Sequence, residues 1–148
     1  MQLTKPTILI ISFIVLFIYA STAKAESAKY ELGTAMAKYI ESQDLIVQLK
    51  YSKCGYLIKI KTKSYEDLKN EILTAVNPKL NEKERSQLLG AYNNQYQRLN
   101  QLNKAAIDNH LKLSLEGGMD DKSACGLFVG AVSPQYQQAL NDWERLTK

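Results

Sequence analysis

The chain is poor in the residues that carry most enzyme chemistry. It has one histidine and two cysteines in 148 residues. That is too few for a zinc site of His and Cys ligands, which takes about four such groups. No G-x-S-x-G elbow, H-E-x-x-H helix, phosphate-binding loop or dinucleotide fingerprint occurs, so no cofactor or metal is expected. Seven glycines and three prolines, not clustered, exclude a collagen-like or linker-rich chain. No apolar run approaches the ~20 residues of a membrane-spanning helix. Neither sign of charge dominates: 19 basic residues face 15 acidic ones, which excludes a disordered polyelectrolyte tail.

What is present begins at the N-terminus. Lys5 precedes an uncharged run of 14 residues, Thr7–Ala20, and then the small-residue pattern Ala23-Lys24-Ala25. A basic start, a short apolar run and small residues at −3 and −1 make a secretory signal peptide. The expected signal is 1–25, with the cut after Ala25, and 26–148 is expected to be a single helical domain. Removing the signal takes away Lys5 and Lys24 and leaves 123 residues of net charge +2. So small a charge gives no basic patch for nucleic acid. After cleavage no stable membrane insertion is expected. The destination is the periplasm or the exterior.

An exported domain with an even cysteine count is read as disulfide-bonded. Cys54 and Cys125 allow one bridge, across a separation of 71 residues. The chain-entropy argument gives such a closure roughly 4 kcal/mol. No C-x-x-C spacing points to a redox pair instead.

The periodicity is mostly helical. Leu32, Met36, Ile40, Val47, Tyr51 and Cys54 follow i+3/i+4 steps, with a polar gap at Gln43 and Asp44. The same period extends to Ile58. Residues 45–62 also alternate enough to suggest a hairpin; a helix to about Cys54 and an extended segment over 57–63 is preferred. Ser64-x-x-Asp67 resembles a capping box, opening a helix whose stripe is Tyr65, Leu68, Ile72, Leu73 and Val76. Asn77-Pro78 ends it. Asn81-x-x-Glu84 opens another, which runs to Glu116 and stops at Gly117-Gly118. Its expected stripe is Leu88, Tyr92, Tyr96, Leu99, Leu102, Ala106, His110 and Leu113. About 50 Å of helix is long for a small domain, so it must kink, protrude or line most of an elongated bundle; Asn100–Asn103 is a natural bend. Two short helices are expected after that, Ala124–Val132 and one capped by Ser133 with Pro134 in its first turn. Gly126-x-x-x-Gly130 suggests tight helix packing. The expected fold is all-α: a small bundle of about four helices with one disulfide and a short extended segment.

Candidate site residues are few. His110 has no nucleophile or orienting partner in the pattern and is read as a packed histidine. Glu82 and Glu84 read as helix-start charges, and Asp120 and Asp121 as loop and cap residues before Ser123. Lys59, Lys61 and Lys63 are read first as a solvated segment and second as a face for an acidic partner. Tyr92 and Tyr96, one turn apart among Asn93, Asn94, Gln95 and Gln97, are the best partner-binding pair, because rigid tyrosines among adaptable amides favour interfaces. The periodicity equally allows them to fill the core. The expected function is a non-enzymatic protein that binds another envelope or secreted protein, as an inhibitor or toxin-immunity protein does. The alternatives are an envelope glycan hydrolase, which needs two carboxylates facing one cleft, and a periplasmic holdase, which needs an exposed apolar patch.

Overall fold

The computed structural model describes residues 23–148. The expected signal peptide therefore lies outside the described residues, except Ala23-Lys24-Ala25, which falls in the first turn of the first helix. Four helices follow one another: α1 (Ala23–Tyr51), α2 (Tyr65–Val76), α3 (Glu82–Glu116) and α4 (Asp121–Thr147), with single 3-10 turns at Gly55–Leu57 and Asn77–Lys79. No strand occurs among the described residues. Cys54 and Cys125 are bonded, with Cα atoms 5.2 Å apart. No described helix is long and apolar enough to cross a membrane.

The helix starts are set locally. The Ser64 hydroxyl accepts from the Asp67 N–H at 3.1 Å and opens α2. Asn81 and Glu84 form a complete capping box at α3, with reciprocal bonds of 2.9 and 2.8 Å. Asp120 caps α4 through the Ser123 N–H at 2.8 Å. That bond, with the Ser123 hydroxyl behind it, holds the Asp120 carboxyl below its ordinary range. Gly118 takes a left-handed conformation with φ +86°, so the turn after α3 needs a residue without a Cβ.

α1 is the hub. It buries side chains on several sides: α3 and α4 pack along it, Leu32, Met36 and Ile40 share one core with Leu68, Ile72 and Val76 of α2, and Tyr39 stacks on Trp143 of α4 at 5.4 Å. Farther along, Ile46, Leu49, Cys54, Ile107, Leu111 and Cys125 form a second apolar cluster. α1 and α3 run in the same direction and α4 returns. The end where α1 and α3 finish and α4 begins is the end that the disulfide ties.

Several expectations are corrected. α1 stops at Tyr51, and Tyr51 is 82% exposed. The real stripe uses Tyr39, Ile46 and Leu49, which a period anchored on Val47 and Tyr51 misses. No hairpin forms over 45–62, and Ile58 and Ile60 rest against the second cluster without a strand partner. α3 has no break at Asn100–Asn103; it is one helix of 35 residues, on which α1 lies along most of its length. After Leu99 its buried positions are Asn103, Ile107 and Leu111, while Leu102, Ala106 and Leu113 are exposed. The two expected C-terminal helices are one. Pro134 lies inside α4, and the acceptor it leaves unpaired belongs to the exposed Gly130, whose carbonyl water can satisfy. Ser133 does not cap; its hydroxyl donates to the Val129 carbonyl at 2.8 Å. Gly126 and Gly130 do not mediate close packing either: a Cβ at either would meet nothing within 4 Å.

Candidate functional site

The most polar part of the interior lies where α1 meets the middle of α3. Asp44 has no exposed surface. Its carboxylate accepts from Asn103 Nδ2 at 2.7 Å, Asn100 Nδ2 at 3.0 Å and Gln48 Nε2 at 3.4 Å. No cation pairs with it among the described residues. An unsolvated carboxylate is costly in an apolar interior, and amide donors replace its water. Asn103 also donates to the Glu41 carbonyl at 3.3 Å, so one amide joins the two helices twice.

Tyr96 extends this network to the surface. Burial pushes its hydroxyl up to about 12, and the nearby Asp44 charge adds to the effect. Tyr65, Tyr92 and Tyr96 pack ring to ring at 4.7 to 5.5 Å. Tyr92 is a core residue, 6% exposed, with its hydroxyl donating to the Tyr65 carbonyl at 3.3 Å. Of the expected pair, only Tyr96 lines a surface cleft, an uncharged one of about 540 Å³ shared with Tyr65, Asn93, Gln97, Asn100 and Gln101.

A second cleft of about 540 Å³ runs between α1 and α4. Leu45, Val132 and Ala139 give it apolar walls, and Lys38, Glu41 and Asp142 stand at its rim. Burial holds the Glu41 carboxyl above its ordinary range, with Lys38 opposing. Sequence reading passed over Glu41 because a single glutamate in a helix carries no motif.

A third surface is the disulfide-tied end. Seven large hydrophobic side chains are exposed among the described residues, and five of them belong to the segments that meet at this end: Tyr51, Tyr56, Leu113, Leu115 and Leu127. Lys53 is paired with Asp121 of α4. Gly55 sits so close to the end of α1 that a Cβ would lie 2.1 Å from the Lys50 carbonyl oxygen. The bridge and the ion pair tie the segment after α1 to α4.

The other expected residues separate. Lys63 is drawn inward, pairing with Glu71 and donating to the Tyr39 hydroxyl at 2.8 Å, while Lys59 and Lys61 remain exposed. His110 packs on Phe128 with ring centres 4.5 Å apart, and its buried Nε2 has no partner among the described residues. Glu84 takes an ion pair from Lys29 at 2.7 Å, which together with its capping bond lowers its carboxyl. Nowhere among the described residues do three His, Cys, Asp or Glu side chains gather as a metal site. No family model, curated protein or solved structure matches the chain.

Proposed function

We propose that this chain is an exported, non-enzymatic protein that binds another envelope or secreted protein, in the manner of an inhibitor or toxin-immunity protein. The observation that carries this reading is that five of the seven large hydrophobic side chains exposed among the described residues belong to the segments at the disulfide-tied end. An excess of large apolar groups in water at one end of a bundle supports an interaction role for that end. Tyrosine gives an interface much contact area at low entropic cost. A rigid platform lowers the cost of ordering that surface on binding. The signal-peptide pattern supports export, and the disulfide is compatible with an oxidising compartment.

The experiment places a photo-crosslinking residue at Tyr51 or Tyr56 in the exported full-length chain, with Tyr30 at the opposite end as control. One discrete adduct from Tyr51 or Tyr56, absent from Tyr30 and reduced when the other of the two tyrosines is changed to alanine, is the expected result. Adducts from Tyr30 alone refute the assignment. A crosslinker at Tyr96 separates the amide-lined cleft from this surface. The same exposed end also favours a holdase as a second reading; suppression of aggregation of several unrelated clients, with no discrete adduct, selects it. The glycan-hydrolase alternative would draw on Glu41 and Asp142, two carboxylates that line one cleft. Glycan turnover abolished by Glu41→Gln would replace the binding reading.

A further inference from the structure

The cleft between α1 and α4 is a separate feature and does not depend on the partner surface. Its volume, about 540 Å³, falls in the usual range of small-molecule sites, about 300–1,000 Å³. Leu45, Val132 and Ala139 give it apolar walls beside the polar Gln135, Tyr136 and Gln138, and the charged groups on its rim are Glu41, Asp142 and Lys38. Two carboxylates against one ammonium leave the rim net negative. Asp142 is engaged by Gln138 Nε2 at 3.1 Å. The Glu41 carboxylate has neither a hydrogen bond nor an ion pair with any described residue, and the residue is partly buried. Burial alone works against its charge, as the raised carboxyl shows. A group held in an unfavourable state inside a cleft is a candidate for function.

From this arrangement we propose that the α1–α4 cleft binds an organic cation, whose ammonium group pairs with Glu41 while its apolar body lies along Leu45, Val132 and Ala139. A metal ion does not fit this arrangement, because hard cations need several oxygen ligands and three acidic groups do not converge there. An anion would face the net negative rim. An ammonium group instead supplies Glu41 with the partner it lacks, through a charge-assisted hydrogen bond.

Phenethylammonium is the probe, titrated into the full-length protein at neutral pH and followed by amide chemical shifts. The expected result is one saturable site with shifts confined to residues around 38–45 and 132–142. Its affinity falls about tenfold or more in Glu41→Gln, the scale of a hydrogen bond to a charged group. The neutral isostere 2-phenylethanol binds correspondingly more weakly. Lys38→Met raises the affinity, since it removes the competing positive charge. The proposal is overturned if folded wild-type protein shows no saturable binding, if Glu41→Gln binds as well as wild type, or if the alcohol equals the amine. Retained helical circular dichroism shows that each variant is folded. Because the probe is a small amine, failure here leaves the protein-partner reading untouched, and failure of crosslinking leaves this site untouched.

Discussion

Replacing Asn103 by leucine tests the link between α1 and α3 most sharply. Asn103 is 7% exposed, and the 2.7 Å bond to Asp44 is the shortest that this carboxylate accepts. Leucine has similar bulk, so little cavity forms. The change removes one charge-assisted bond, costing about 1.5–3 kcal/mol. The Glu41 carbonyl loses only a second, longer bond, since inside α1 it keeps its helical partner, the Leu45 N–H. A loss of about 1.5–3 kcal/mol is therefore expected. The companion variant Asp44→Leu/Asn103→Leu removes the charge as well as its donor. Apolar replacement of a whole buried polar pair is often close to neutral, and Asn100, Gln48 and Tyr96 are only partly buried and can turn to water. The double variant should recover much of the loss, leaving a coupling energy of about 1.5–3 kcal/mol. Urea unfolding read by Trp143 fluorescence measures it, since that ring is buried against Tyr39. Equal stability of Asn103→Leu and wild type, or strictly additive losses, would refute the claim that Asp44 is held by this amide.

Cys54→Ala/Cys125→Ala should lower stability by roughly 4 kcal/mol, from the loss of a closure across 71 residues; unchanged thermal midpoints with and without reductant would show that the bridge contributes nothing. Glu41→Gln should stabilise the protein at neutral pH, because a carboxyl raised in the folded state costs stability once pH exceeds its unfolded value. That gain grows as pH rises from the unfolded carboxylate value through the raised folded value, and it vanishes in acid; a pH series of thermal midpoints reads it, and a pH-independent difference refutes it. Gly126→Ala and Gly130→Ala should each stabilise by about 0.4–1 kcal/mol, because both lie in a helix and a Cβ meets nothing there; a loss in thermal midpoint would mean that the close-packing role is real.

The parts of the fold legible in the sequence are those written by local chemistry. Ser64, Asn81 and the Gly117-Gly118 pair mark helix ends because caps and left-handed turns need particular side chains or none. Cys54 and Cys125 were legible because two cysteines admit one pairing. What stayed hidden has one physical cause: an apolar-stripe reading treats every polar residue as surface. An apolar-stripe reading makes Asp44 a gap in α1 and Asn103 a bend in α3. They are in fact opposite halves of one buried contact. Skipping Asn103 shifted the stripe onto Leu102, Ala106 and Leu113. The true continuation, Asn103, Ile107 and Leu111, steps by four from Leu99. Two well-spaced apolar residues were therefore available to correct the reading, had an amide been allowed in the core. The same blindness to buried polar groups hides which large side chains are exposed. Leu113 and Tyr51, placed in the core by periodicity, are among the side chains that the bundle leaves in water. Tyr92, singled out for a partner, is among those it buries. A hydrophobic stripe tells which residues want to leave water. Only the packing of all four helices decides which of them do, and the ones left over are what a partner can use.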